Sequence, residues 1–431
     1  MKSSPRRSTS AALVACLAVG TVAVCPGRPA RAQAALRTYE TKYYVIRTDL
    51  GLDVVREAAV RMTAMAVEYH RRTEGFSGII RRKLPFFLFA NAGDYHAAGG
   101  PVGTSGVFMG NRLMAAIGEK PTDYAWQVVQ HEGFHQFARA VIRGQIPVWV
   151  NEGLAEYFGQ AVFTGDGFVV GVVPPRRLAR LKKEIQARQL KSFREMMAMS
   201  RSQWSGRIAI GNYDQAWSMI HFLVHAENGK HVRALSRFMN DIARHQRYEA
   251  AWVRNFGRDV SGFEDRWRQH WLGQPPNPTR RLYDRAVVAT MTSYFARAAS
   301  QRQKFTSFEE FVKAARAGEL KAHGLDWLPA ELLTDALTKL DRVGTWSIQT
   351  KARARPRLIC AAGDGTRFVG TFSVASGRVK RVNVDREVDV VGEGGEDLLV
   401  HPRKSCFADL VCEVGRDVRL GLEEFRFRLR E

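Results

Sequence analysis

Cysteine is scarce in this chain, five among 431 residues, which excludes a small fold held together by disulfides. Cys16 and Cys25 fall in or beside the first apolar stretch, leaving Cys360, Cys406 and Cys412, enough for one disulfide and one spare thiol in a pairing that spacing does not specify. Long apolar runs are equally rare. The run from Ala11 to Val24, about 14 residues, is shorter than the roughly 20 a membrane-spanning helix needs, and no later segment does better. No internal repeat of fixed period occurs, which argues against a solenoid or propeller. The G-x-S-x-G elbow, the P-loop and the G-x-G-x-x-G fingerprint are missing as well, so serine hydrolysis, nucleotide hydrolysis and dinucleotide-dependent redox chemistry have no motif to rest on. Acids are few beside bases, 43 against 65, for a formal net charge of +22. Such a field favours anionic partners such as cell-envelope polymers, acidic peptides or nucleic acid, and no motif specific for nucleic acid accompanies it.

What is present begins with a leader. Lys2, Arg6 and Arg7 precede the apolar run, and Ala30-Arg31-Ala32 supplies small residues for a peptidase. Residues 1–32 therefore read as a cleaved signal peptide, with a secreted or periplasmic destination. Val24 stands before Cys25 where a lipoprotein signal would want a small residue. Cleavage removes Lys2, Arg6, Arg7, Arg28 and Arg31 and no acid, lowering the formal charge to +17.

With 45% hydrophobic and 25% charged residues, the remainder is long enough for a sizeable core and more than one domain. Residues 43–46 suit a short strand, 52–69 a helix, 84–90 a buried strand, and 106–115 an extended segment with Gly110-Asn111 as a turn or bulge. Helix-start chemistry at Thr122 and Asp123 opens a helix that stops at Gly144, followed by short helices over 151–158 and 213–225. The prolines of Gly273-Gln274-Pro275-Pro276-Asn277-Pro278 mark a boundary. Beyond it lie a helical region (275–345) and a β-rich module (346–431) with an Asp364-Gly365 turn. The basic runs 176–191, where Arg177, Arg180, Lys183 and Arg188 could share a helix face, and 351–357 read as solvated surface.

The chemistry lies in His131-Glu132-Gly133-Phe134-His135, an HExxH pattern on an expected helix. Residues four apart share a face, so both imidazoles can reach one ion while Glu132 points at its open position. A hydrolytic zinc site needs a third protein ligand. Glu152, 17 residues after His135 and near the start of the next helix, fits.

The segment Trp149-Val150-Asn151-Glu152-Gly153 resembles the third-ligand segment of the alanyl-aminopeptidase and leukotriene-hydrolase family, within the gluzincin clan that includes thermolysin. The resemblance covers roughly residues 100–230 and extends to exported bacterial proteins with a peptidase-like core. It implies an α+β, zincin-like catalytic domain over 33–274: a small mixed sheet, the HExxH helix and following helices. It implies Zn²⁺ held by His131, His135 and Glu152, with Glu132 as general base in hydrolysis of a peptide or protein substrate. Tyr213, 61 residues after Glu152 in Tyr213-Asp214-Gln215-Ala216-Trp217, matches the family's oxyanion-stabilising tyrosine in position and character. Glu156 stands where thermolysin-like enzymes carry an aspartate that orients a ligand histidine. One feature departs from the family: Gly106-Val107-Phe108-Met109-Gly110-Asn111 has glycine where the aminopeptidases place a glutamate that grips the substrate's free amine. Internal cleavage is then the better expectation. His221 and His225 form another i, i+4 pair, but apolar neighbours and the lack of an acid make them core or helix-surface histidines rather than a second metal site. Two other readings stay open: a retired peptidase scaffold that binds anionic envelope partners, and a zinc hydrolase of non-peptide amides or esters.

Overall fold

A computed structural model of the protein describes residues 36–206, 210–350 and 354–388. The expected leader (1–32), Cys406 and Cys412, and the last 43 residues of the β-rich module lie outside the described residues.

Strands β1 (Arg37–Glu40) and β2 (Tyr44–Thr48) lead into helix α1 (Leu52–Thr73), then β3 (Leu84–Phe89), the short α2 (Ala92–Ala97), β4 (Gly106–Met109) and β5 (Arg112–Ala116). The five strands form one mixed sheet in the order β1-β2-β3-β5-β4, with β2, β3 and β5 mutually parallel and antiparallel strands at both edges. β3 is apolar on both faces because it is the central strand. Its Phe86 and Leu88 point into the main core beside Ile46, Leu113 and the apolar stripe Val55, Ala59, Met62 and Tyr69 of α1. The extended segment over 106–115 is a hairpin whose turn falls at the expected Gly110-Asn111, with Gly110 at φ 65°, a conformation glycine adopts without strain.

Helix α3 (Asp123–Val141) starts where the Thr122 hydroxyl accepts the Ala125 N–H at 3.2 Å. It buries Trp126, Val129, Phe134 and Phe137 against the sheet and α1. Each fully buried phenylalanine contributes roughly 2–3 kcal/mol to stability. Pro147 then precedes α4 (Val148–Gly159), and a small hairpin follows, β6 (Val162–Phe163) with β7 (Phe168–Val169). Helices α5 (Pro175–Gln186), α6 (Phe193–Ala198), α7 (Arg201–Gly206), α8 (Ile210–His225), α9 (Val232–Ala243), α10 (Tyr248–Phe256) and α11 (Val260–Gly273) complete this part. Trp149, Trp217, Trp252, Trp267 and Trp271 pack among them, each almost wholly buried.

After the proline-rich turn, α12 (Arg280–Ser300), α13 (Phe308–Arg316), α14 (Ala330–Leu337) and α15 (Leu340–Val343) share a second core with a four-stranded antiparallel sheet. That sheet orders β8 (Gly344–Gln349), β9 (Arg357–Ala362), β10 (Thr366–Ala375) and β11 (Arg378–Val388) as β11-β10-β9-β8. The architecture is thus mixed α/β, a small mixed sheet with helices and a C-terminal β module. Cys360 is buried in the second core, where burial pushes its thiol up to about 12 and leaves it an inert apolar group. Among the described residues no helix is long and apolar enough to cross a membrane.

Candidate metal centre

Three backbone devices set the site. Gly133, inside the HExxH segment, lies so close to α1 that a Cβ there would stand 2.6 Å from Met62 Cε and 3.0 Å from the Tyr69 hydroxyl, which itself donates to the Gln130 carbonyl. Gly153, next to Glu152, lets α4 and α8 touch, since a Cβ would meet the Ala216 carbonyl oxygen at 2.5 Å. The Gln130 amide donates to the carbonyls of Phe158, Gly159 and Ala161 at 3.1–3.2 Å, capping the end of α4 from α3. Together these fix α3, α4 and α8 at one crossing.

His131, His135 and Glu152 meet there. The Nε2 atoms of the two histidines are 3.1 Å apart, and Glu152 Oε2 lies 3.6 Å from His131 Nε2 and 3.4 Å from His135 Nε2. One ligand atom from each falls within 4.8 Å of the others, and the group could hold a metal ion. Its chemistry suits one. Two imidazole nitrogens and a carboxylate oxygen, all potential electron-pair donors, face a common point, a poor arrangement for mutual hydrogen bonding and a good one for a cation. The local field agrees. Burial opposes charge on His131, yet hydrogen bonds to Glu152 and Glu156 and the fields of Glu156 and Glu132 outweigh it and raise its pKa well above the usual range. For Glu152, burial pushes upward, but the two histidines hold the carboxyl far below its usual range.

Glu132 is placed by the sheet edge, with the Phe108 N–H donating to its Oε2 at 2.7 Å. That contact needs the close approach of β4 to α3 at Gly106, where a Cβ would meet Val128 Cγ1 at 2.4 Å. Tyr213, half-buried on α8, sets its ring centroid 6.5 Å from that of His131 and packs edge-on against Trp204 at 5.3 Å. All five residues singled out by sequence are therefore gathered at one place.

Behind His131 lies a chain of charge, of which the sequence reading held Glu156 and missed the rest. Glu156 Oε1 is 3.1 Å from His131 Nδ1, and its Oε2 accepts from Arg177 Nη1 at 2.7 Å. Arg177 Nε lies 2.8 Å from Asp214 Oδ1, and Asp214 is held from its other side by Arg180 at 2.5 and 3.1 Å. Burial would raise the Glu156 pKa, but Arg177 and His131 bring it down to about 2. The guanidinium of Arg177 stacks over Trp217 at 4.6 Å. Here the expectation of a solvated basic surface over 176–191 fails at Arg177, while Arg176, Arg180, Lys183 and Arg188 are exposed. Arg177 is 7% exposed, because it lies on the inward stripe of α5 beside Leu178, Leu181 and Ile185 and finds two carboxylates there. Arg188 is beyond the end of that helix, with φ at 54°, so it shares no helix face with the others. The local sequence Pro175-Arg176-Arg177-Leu178 does not set Arg177 apart from the exposed bases of the same run.

His221 and His225 are core residues. His221 Nε2 is 3.0 Å from the Gly171 carbonyl oxygen and His225 Nε2 is 2.9 Å from the Tyr157 hydroxyl. No acid joins them, and among the described residues the potential metal-holding group is His131, His135 and Glu152.

A family model described as a protein of unknown function, DUF1570, matches residues 126–246. The matched span runs from the first turn of α3 to just beyond α9 and includes His131, Glu132, His135, Glu152, Glu156, Arg177, Tyr213 and Asp214. No curated protein matches the chain.

Proposed function

We propose that this chain is a zinc-dependent hydrolase of the gluzincin type that cleaves peptide bonds after export from the cytoplasm, and that its first region is zincin-like. The observation that carries the reading is the convergence of His131, His135 and Glu152 on one point with Glu132 beside it. Zinc bound by these three side chains supplies Lewis acidity, making a water nucleophilic near neutral pH and polarising the carbonyl under attack.

The chain's own residues do the rest. The Phe108 N–H fixes one carboxylate oxygen of Glu132, so the other is oriented to take a proton from the attacking water and deliver it to the leaving amine. The Tyr213 hydroxyl donates to the developing oxyanion. Glu156, steadied by Arg177, holds the His131 ring through Nδ1 and leaves Nε2 for the metal. β4 is the sheet edge beside Glu132, where an extended peptide pairs by strand addition. With Gly110 in the hairpin turn rather than an acid, nothing in this strand binds a free amine, which suits internal cleavage.

The test is turnover of a broad peptide library by the full chain, with and without chelator, beside zinc content. Glu132→Gln should keep zinc and lose roughly 10²- to 10⁴-fold in turnover. Tyr213→Phe should keep zinc and lose about 10²- to 10³-fold. Wild-type turnover in Glu132→Gln would remove the mechanism.

A further inference from the structure

Trp204 is a buried aromatic side chain that no step of this hydrolysis uses. It belongs to α7, a helix of six residues fixed at its start by a reciprocal cap, in which the Ser200 hydroxyl accepts the Gln203 N–H at 3.3 Å and Gln203 Oε1 accepts the Ser200 N–H at 2.8 Å. The Trp204 backbone N–H closes that turn on the Ser200 carbonyl at 3.0 Å. Held there, Trp204 is 4% exposed, and its ring meets that of Tyr213, on the first turn of α8, at 80° with the centroids 5.3 Å apart. The Tyr213 ring lies 6.5 Å from that of His131. One phenol thus neighbours both a metal-site histidine and this tryptophan.

A buried indole N–H ordinarily finds an acceptor. Trp204 Nε1 has none at full hydrogen-bonding geometry. Trp217, Trp252 and Trp267 share that lack, but among the described residues Trp204 is the tryptophan whose ring meets Tyr213, and Nε1 is its one polar side-chain atom. Burial raises the Tyr213 hydroxyl above its usual range, and donation from the Trp204 side chain works against that rise. The indole N–H therefore faces the phenol oxygen in a loose contact, of the kind that tightens once a reacting group is bound.

We propose that Trp204 is a positioning residue for Tyr213: its indole N–H donates to the phenol oxygen and thereby commits the phenol's own proton to the oxyanion. The inference rests on the hydrolase reading, in which Tyr213 is the oxyanion donor. A hydroxyl carries one proton and two acceptor sites and turns freely unless something fixes it. With the indole N–H on one acceptor site, the O–H points away from Trp204, and a donor already aimed where charge develops costs no reorganisation during reaction. Hydrogen bonds in a chain also polarise one another, so a phenol that accepts from indole is the stronger donor. No proton leaves either side chain.

The experiment measures kcat, KM and zinc content of the zinc-loaded full chain on one cleaved peptide, in wild type, Trp204→Phe, Tyr213→Phe and the double variant. Trp204→Phe keeps an aromatic ring and loses the N–H, so zinc content and KM should match wild type while kcat falls about tenfold, the loss of one hydrogen bond felt in the transition state. Replacing Trp204 by its benzothiophene analogue, the same bicycle with sulfur in place of N–H, should lose as much without any change in packing. The double variant should match Tyr213→Phe within about twofold, because the indole acts only through the hydroxyl. Wild-type kcat in the benzothiophene analogue, or a further tenfold loss on adding Trp204→Phe to Tyr213→Phe, would overturn the inference and leave the hydrolase reading standing. Absence of chelator-sensitive turnover in wild type would overturn both.

Discussion

Arg297 is a buried and His131 a half-buried polar side chain, both on helices, and their surroundings are built in opposite ways. Arg297, on α12, uses its whole donor set: Nη1 and Nη2 bond Asp166 at 2.7 and 3.0 Å, Nη2 reaches Asp326 Oδ1 at 3.0 Å, Nε donates to the Asp326 carbonyl at 2.8 Å, and Nη1 donates to the Ser293 carbonyl at 2.9 Å. Asp326 in turn accepts the Val379 N–H at 2.8 Å. Around His131 the reverse holds. Ring nitrogens and a carboxylate oxygen converge on each other, while the groups that orient them, Glu156, Arg177 and the Phe108 N–H, stand behind. A buried cluster whose donors and acceptors all answer one another leaves no place for a further ion; one in which two ring nitrogens and a carboxylate oxygen face a common point could hold a cation there.

The sharpest way to break this comparison is Arg297→Met. It leaves the buried Asp326 and the half-buried Asp166 without their cation and should cost about 3–5 kcal/mol of unfolding free energy, read by denaturant titration, with zinc affinity of the folded chain unchanged. A loss below about 1 kcal/mol would show that the knot is not structural.

Arg177 lies between the two kinds of cluster and sharpens the contrast. Arg177→Met should weaken zinc about tenfold, the low end of the range for losing a partner directly behind a ligand, because Arg177 acts through Glu156, and Arg177→Lys should restore part of that affinity. Zinc affinity equal to wild type in the methionine variant would reduce Arg177 to a packing residue.

A smaller effect separates buried neutral groups from buried pairs. Burial among aromatic rings, with His270 adding to it, brings His221 down to about 4. Its unfolded value is near 6.5. The folded chain therefore binds fewer protons between about pH 6.5 and pH 4, and stability is full above that window and lost as pH falls through it. Between pH 7.5 and pH 5 the loss from this residue should be about 2 kcal/mol, measured as the difference between wild type and His221→Phe. Parallel pH profiles for the two proteins would contradict the assignment.

The ligand set was legible because covalent spacing carries it. HExxH on a helix with a stop at Gly144, and a glutamate on the next helix, already place His131, His135 and Glu152 near one point. The apolar patterns of α1, β3 and α3 were legible for the same reason: each element buries one side and repeats at its own period. What could not be read is what long-range contacts decide. Arg177 and Asp214 are 37 positions apart and meet only once α5 and α8 have packed. Arg177 and its exposed neighbour Lys183 look alike as letters, and only the burial of one separates them. The short strands β6 and β7 and the helices α9–α11 carry no chemistry-bearing motif; the helices take their positions from the tryptophan-rich core and the strands from packing beside α12 and α1.

The central claim, that the convergent cluster is a zinc site and the answered cluster is not, is tested most directly by zinc content per chain after loading and gel filtration. Wild type should carry about one zinc, the His131→Ala/His135→Ala double variant none, and Glu152→Ala should lose its zinc to a weak competing chelator, as expected for a three-ligand site. Full occupancy in the double variant, or no retained zinc in wild type, would contradict the account.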